Sequence, residues 1–262
     1  MKMPLSERQE IILDGLRHVG EVEVDALARQ LGVTTQTVRR DLAELCDQGL
    51  ALRMHGGAKR APSTSARAYE ERRLNNISDK QSVADMAASL IPDGASVAIN
   101  IGTTTEQVAE ALRLHKDLMV LSNNMNIISI LRGTRLKSLS VIGGEVRLSD
   151  GAVIGEDAVA AISQYKVDFA VIGTSSIDPD GSILDFDPRE VAVARAIIAN
   201  ARQKILVADI SKFEVAAPYR ICNLADLDHV ILNAQPPAEF TEAARQTNTN
   251  LIITETQNVG TN

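Results

Sequence analysis

Cysteine is scarce: Cys46 and Cys222 are the only two in 262 residues, and they form no C-x-x-C pair. That excludes a disulfide framework, and Cys46, eight residues after Val38, reads as helix packing. The four histidines are scattered without metal-ligand spacing, so no metal site is expected, and nothing calls for a cofactor. No apolar run approaches a membrane span. Met1–Ser6 lead into a charged amphipathic segment rather than the apolar core of a signal peptide, so a reducing cytoplasm is the expected compartment, with no membrane partner. Internal repeats and low-complexity tracts are also missing.

Positive charge is in short supply too. The net charge is −7, but it is unevenly divided. Residues 1–73 hold 12 Lys and Arg against 11 Asp and Glu, a net of +1. The remainder holds 15 against 23, a net of −8. A broad positive field is thus excluded as a source of nucleic-acid affinity, which would have to come from a few placed contacts and from dimerisation. With 45% hydrophobic residues, the chain can hold a small domain and one of ordinary size.

What is present is concentrated first between Val33 and Arg60. Val38, Leu42 and Leu45 recur at i, i+4 and i+7, which predicts a helix with one apolar face. Thr34 is placed to cap its first N–H groups, Asp47 or Gln48 ends it, and Gly49 suits the C-terminal cap. Thr35, Gln36, Arg39 and Arg40 face away from the apolar stripe. Such a face is ordinarily solvated surface. It is also what base reading needs, since Arg and Gln pair with base edges while Thr34, Thr35, Thr37 and the helix N-terminus meet phosphate. Two short extended runs follow around Gly56 and Gly57, carrying Arg53, His55, Lys59 and Arg60, a basic hairpin suited to lie along a DNA backbone. Upstream, Leu5–Val19 reads as a helix with a capping box from Ser6 to Gln9, and Val24–Leu31 as a second, closed by Gly32. Helix, helix, tight turn, polar helix and basic hairpin make a winged helix-turn-helix over residues 1–60.

The run LGVTTQTVRRDLAELCDQGLALRMHGGA resembles the DNA-binding domain of DeoR-type bacterial transcriptional regulators, with the TVRRDL helix and the R-x-H-G-G-A wing intact. The resemblance implies double-stranded operator DNA as a partner.

Residues 61–78 are small, polar and charged and read as a linker, within which AYEERRL can form a short connecting helix. A helix is predicted over 79–91. Short apolar runs then alternate with helical segments: strands at 95–101, 118–122, 138–144, 167–173, 204–210, 229–233 and 250–254, and helices at 106–114, 124–131, 156–165, 188–201 and 237–247. This alternation predicts an α/β domain over 79–254, with a parallel sheet covered on both faces. The tail, 255–262, reads as disordered.

Ligands of open α/β sheets bind beyond the carboxyl ends of the strands. There the sequence places Asn100 and Gly102-Thr103-Thr104-Thr105, then Ser122-Asn123-Asn124. Gly144, Glu145 and Arg147 follow the third strand, and Asp209 and Lys212 a later one. The polar stretch 178–187, read as a loop, contributes Asp185 and Asp187 and leads to a helix with Glu190 and Arg195. A Gly before hydroxyl residues at a helix start is an anion cradle. Together these residues suggest a pocket for a small phosphorylated polyol, with hydroxyls bound by Asp and Glu and phosphate by the Thr turn with Lys212 or Arg195.

N-x-G-T-T, S-N-N, G-G-E-x-R and D-x-S-K-F resemble the sensor domain of the same family. INIGTTTEQVAEAL, SNNMNI and DGSILDFDPREV are similar to a branch that implies glycerol 3-phosphate as effector. The sensor is itself similar to sugar-phosphate isomerases of the ribose-5-phosphate type, whose acidic cluster would fall here at Ile172 and Ser175. Neither is a base, so an enzyme is not expected. The expectation is a ligand-responsive repressor, a dimer or tetramer, with an activator or dual regulator as the alternative sign of control.

Overall fold

The computed structural model describes residues 6–47, 50–54, 56–60 and 66–254. The expected Gly49 cap, His55, residues 61–65 of the expected linker and the tail 255–262 lie outside these. The chain divides into two compact units, Met1–Thr64 and Ser65–Asn262.

The first unit runs α1 (Glu7–Val19), β1 (Glu21–Glu23), α2 (Val24–Leu31), α3 (Thr35–Asp47), β2 (Ala51–Met54) and β3 (Gly57–Arg60). Ser6 and Gln9 form the capping box at the start of α1. Gly32 ends α2 in the left-handed conformation, and the Thr34 Oγ1 accepts from the Thr37 N–H at 3.2 Å. Ile12, Leu16, Val38 and Leu45 meet in one core, with Leu27, Leu42 and Ala58. Behind α3, Arg8 Nε reaches Asp41 at 2.6 Å and Gln9 Nε2 reaches Glu44 at 2.7 Å, so polar contacts also fix α3 on α1.

The short strand β1 is not legible in the sequence, because Glu-Val-Glu carries one apolar residue. It pairs antiparallel with β3, Val22 opposite Ala58, and gives the sheet order β1-β3-β2. A Cβ at Gly57 would stand 2.0 Å from the carbonyl oxygen of Val22, so this pairing requires glycine there.

The second unit opens with α4 (Ala66–Leu74) and α5 (Ile77–Ser89). It continues with β4 (Ser96–Ile99), α6 (Thr103–Ala111), β5 (Met119–Ser122), α7 (Met125–Leu131) and β6 (Ser138–Val141). A hairpin of β7 (Glu145–Arg147) and β8 (Ala152–Ile154) precedes α8 (Glu156–Ile162) and β9 (Val167–Ile172). Then come β10 (Ser176–Ile177), β11 (Ser182–Asp185), α9 (Pro188–Ala199), β12 (Ala201–Ala208), β13 (Tyr219–Asn223), β14 (His229–Leu232), α10 (Ala238–Gln246) and β15 (Asn250–Ile253).

Seven of these strands form one parallel sheet in the order β15-β14-β12-β9-β4-β5-β6. Alternate residues feed two cores. Val97, Ile99, Val171 and Val207 face one side with Val83 and Ala87 of α5, Val108 of α6 and Ile127 of α7. Ala98, Ala170, Ile172 and Leu206 face the other with α8, α9 and Phe240 of α10. Strands leave in opposite directions from β4 and β9, so the sheet order reverses between them, and a crevice is expected beyond their carboxyl ends.

The short helix expected over AYEERRL is present as α4 at 66–74, where Tyr69 is 3% exposed, and α5 begins at Ile77, two residues before the expected start. One expectation needs correction: the polar stretch 178–187 is not one loop. Ile177 and Ile183 are fully buried, and β11 pairs antiparallel with β10 and β13, turning at Gly181. Ile177 and Ile183 join the core that α9 shares with the main sheet, which local periodicity does not reveal.

Candidate functional site

In the first unit, Gln36, Arg39 and Arg40 on α3 are exposed, and Thr35 and Thr37 half-buried. The Thr34 and Thr37 hydroxyls lie 2.9 Å apart, so both belong to the cap that orients the helix N-terminus. Arg40 Nε is 3.2 Å from Glu44 one turn on, an exposed pair that leaves its guanidinium within reach of another partner. Arg53 and Lys59 are both exposed. The register sets Arg53 opposite Ala58 and Lys59 opposite Leu52 and Glu21, so the two cations leave from opposite faces of the wing. Gly57 serves the close β1–β3 approach and Gly56 the positive-φ turn before it.

In the second unit Asn100, Thr105, Ser122, Asn123 and Asp209 stand at or just beyond the carboxyl ends of the parallel strands, whereas Arg147 of β7 meets Asp187 and Glu190 at the start of α9. Asn100, Ser122, Asn123 and Thr105 are buried and bonded to main chain. Asn100 Oδ1 accepts from Gly173 N at 2.8 Å, and Asn123 Oδ1 from Ile101 N at 3.0 Å. Ser122 Oγ donates to Ile99 O at 2.7 Å, and Thr105 Oγ1 to Asn100 O at 2.8 Å. These bonds account for the four residues as the frame of the site. Gly102 has φ +155°, with the Thr105 hydroxyl 3.1 Å from where a Cβ would stand, so the turn into α6 is built tightly around glycine. Thr103 lies half-buried and Thr104 buried on that turn.

Arg147 is the centre of an acidic cluster. Its Nη1 lies 3.0 Å from Asp187 and its Nε 3.0 Å from Asp150, and Nη2 donates to Glu190. Burial pushes Glu190 up to about 8, with Asp185 adding to the rise and Arg147 opposing it. Asp185 is raised as well, by burial first, against a backbone bond from Phe186. Burial also acts to raise Asp187, but hydrogen bonds from Arg189 outweigh it and the net shift is downward. Glu145 is exposed and touches Arg189 at 3.4 Å, at the rim. Gly144 packs against Val153 and Ile154.

Asp209 is 2% exposed and caps the turn that carries Lys212, accepting from Ser211 N at 3.1 Å. Arg195, by contrast, is exposed and donates to the carbonyls of Ile221 (3.2 Å) and Arg220, bracing β13 from α9. The structure thus engages Arg195 with the main chain of β13, whereas the sequence offers it with the Thr turn as a phosphate contact.

Sequence reasoning missed Lys80, which is 3% exposed. Its Nζ donates to the carbonyls of Asn75 (2.7 Å) and Arg72. Burial pushes its pKa down to about 8; Asp209 pulls it up, and Lys212 and Arg72 push it further down. Those influences put Lys80 in one electrostatic neighbourhood with Asp209, Lys212 and Arg72. The signal was present, since Lys80 shares the stripe of Val83, Ala84 and Ala87. Arg72 adds a buried Nε without a partner, and its guanidinium lies 5.5 Å from the Tyr69 ring centroid. Tyr69, Arg73, Glu106 and Asn126 were also missed, and they form one network described below.

The pattern defining the DeoR C terminal sensor domain matches residues 75–234, and that of the DeoR-like helix-turn-helix domain residues 8–64. The glycerol-3-phosphate regulon repressor of Escherichia coli K12 is 39% identical over 235 residues, covering 90% of this chain and 93% of that protein. Its Haemophilus influenzae counterpart is 41% identical over 234 residues, covering 89% and 91%. The HTH-type transcriptional repressor CsqR of Escherichia coli K12 is 34% identical over 246 residues, covering 94% of each chain. Among solved structures, ribose 5-phosphate isomerase from Plasmodium falciparum is 16% identical, covering 51% of this chain and 52% of that one, with a TM-score of 0.36. A capped recognition-type helix with its wing, a parallel-sheet second unit and family matches along both lead to one conclusion: the chain belongs to the DeoR family of helix-turn-helix transcriptional regulators.

Proposed function

We propose that the protein is a transcriptional repressor that leaves its operator when it binds a small phosphorylated polyol, glycerol 3-phosphate. The observation that carries this reading is the pairing of two charge groups at the switch-point end of the sheet. Lys80 shares one electrostatic neighbourhood with Asp209, Lys212 and Arg72, and Arg147 pairs with Asp150, Asp187 and Glu190 near Asp185. The cations with the Thr103–Thr105 turn suit a phosphate, and Asp209 and Asp185 suit hydroxyl groups. The names of the relatives in Escherichia coli and Haemophilus influenzae favour glycerol 3-phosphate within that class.

On this reading Thr35, Gln36, Arg39 and Arg40 read bases in the major groove, and Thr34, Thr37, Arg53 and Lys59 meet phosphates. One small reading head specifies weakly, so a homo-oligomer, a dimer or tetramer, presents at least two heads to a repeated operator. Catalysis has no part in it, because Ile172 is buried in the core and Ser175 carries no carboxylate. The protein acts in the cytoplasm.

The test is a fluorescence anisotropy titration of the full chain on DNA from its own promoter region at fixed salt. Release by glycerol 3-phosphate, and not by fructose 1-phosphate or ribose 5-phosphate, is the expected result. Release by another of these keeps the class of effector and discards the polyol. Tighter binding on addition of effector would replace repression relieved by ligand with activation.

A further inference from the structure

We propose that α4 is a ligand-sensitive latch, held to the rest of the second unit by Tyr69 and Arg73 on Glu106. The inference rests on the effector reading above and adds how the signal leaves the site. Glu106 lies directly after the Gly102–Thr105 turn, and its carboxylate is 2% exposed. Oε1 accepts from the Tyr69 hydroxyl, from Asn126 Nδ2 at 2.8 Å and from Asn124 Nδ2 at 3.3 Å. Oε2 faces Arg73 Nε at 2.9 Å. Two of these four donors belong to α4, and the other two to the start of α7. The glutamate is therefore the junction between the anion cradle and the helix that follows the DNA-binding unit in the chain.

The attachment of α4 is polar and narrow. Among its described side chains only Tyr69 is buried, in a small cluster with Ile101, Ala152 and Ile154 that is separate from the two main cores. Leu74 is 70% exposed. The carbonyls of Arg72, in the last turn of α4, and of Asn75, just after it, are held by the ammonium of Lys80. Among the described contacts α4 is held through one buried ring, one buried carboxylate and one lysine, a polar attachment more easily released than a seat on a broad apolar face.

One cation, Lys80, serves both states. An anion in the cradle draws Lys80 from the carbonyls that it holds at the end of α4 and sets a second negative charge beside Glu106, which strains the Tyr69 and Arg73 contacts. Effector binding and latched α4 therefore oppose one another, and the latched form is the one that holds DNA. By population shift, weakening the latch must strengthen effector binding and weaken operator binding together.

The experiment measures two affinities of the full-length chain: glycerol 3-phosphate by calorimetry without DNA, and operator by anisotropy without effector. Tyr69→Phe removes one bond to a buried carboxylate while keeping the ring. It should tighten effector binding and loosen operator binding, each roughly tenfold. Arg73→Gln, at a half-exposed position that does not threaten folding, should move both in the same sense. Damage to the fold would lower both affinities, so opposite shifts separate a latch from a strut. Unchanged affinities in both variants, or a joint loss, overturn the latch. Failure of the unaltered chain to bind glycerol 3-phosphate sinks the effector reading itself and the latch with it, whereas effector binding with unshifted variants sinks the latch alone.

Discussion

Asn100 and Gly173 face each other across the reversal of the sheet, bonded in both directions: Asn100 Oδ1 accepts from Gly173 N at 2.8 Å, and Nδ2 donates to Gly173 O at 3.4 Å. One buried amide thus stitches the end of β4 to the end of β9 and fixes the floor of the crevice. Asn100→Ala leaves a buried N–H and carbonyl unpaired and should cost about 2–3 kcal/mol, read as a lower urea midpoint at unchanged slope. A loss of effector affinity at full stability would make Asn100 a ligand contact instead of a stitch.

The DNA contacts divide by what they read. Arg39→Ala should cost about 1–3 kcal/mol on operator and relax specificity at one base pair, if its guanidinium pairs with guanine. Arg40, already near Glu44, is the less informative choice. Lys59→Ala should weaken all sequences alike and flatten the salt dependence by about one unit. Equal losses on operator and random DNA for Arg39→Ala would remove its base-reading role.

Lys80 links protonation to folding. Its pKa is pushed down to about 8 from an ordinary 10.5, so between those values the unfolded chain binds the extra proton and stability rises with pH. The burial cost is fully present below about pH 8 and gone above about 10.5. Lys80→Met should therefore flatten the rise over that window, a difference of roughly 3 kcal/mol at 1.36 kcal/mol per unit. Parallel stability curves for the two proteins between pH 8 and 10 would refute the assignment. An effector anion beside Lys80 favours the ammonium, so binding at pH 8 should take up protons, seen as heats that vary with the buffer.

The sequence offers Arg195 and Lys212 equally as contacts for the effector phosphate. Arg195 holds the carbonyls of β13 from the outer side of α9, whereas Lys212 lies in the neighbourhood of Lys80 and Asp209. Lys212→Ala should weaken glycerol 3-phosphate binding roughly tenfold, the loss of one charged contact. Arg195→Ala should leave it nearly unchanged. The reverse pattern in calorimetry would return Arg195 to the site.

Much of the fold was legible because it is local. The extent of α2, the Ser6–Gln9 box and the Thr34 cap follow from residues within one turn of each other. The strands of the main sheet follow from short apolar runs that must be covered on both faces. The site was legible only as a location. Asn100, Ser122 and Asn123 do stand at the strand ends, yet their side chains bind main chain, because closing such an edge requires partners for the peptide groups that the sheet leaves free.

The sequence by itself determined the helix-turn-helix with its wing and the parallel α/β order, since periodicity, caps and turn glycines act between near neighbours. Only the tertiary structure decided that β1 joins the wing, that β11 packs under α9 and that α4 is docked. It also decided what Glu106 does: its donors lie 37 residues upstream at Tyr69 and 20 downstream at Asn126. The physical reason is that a polar side chain has no fixed role until burial removes water and selects its partners, and those partners are brought by distant parts of the chain.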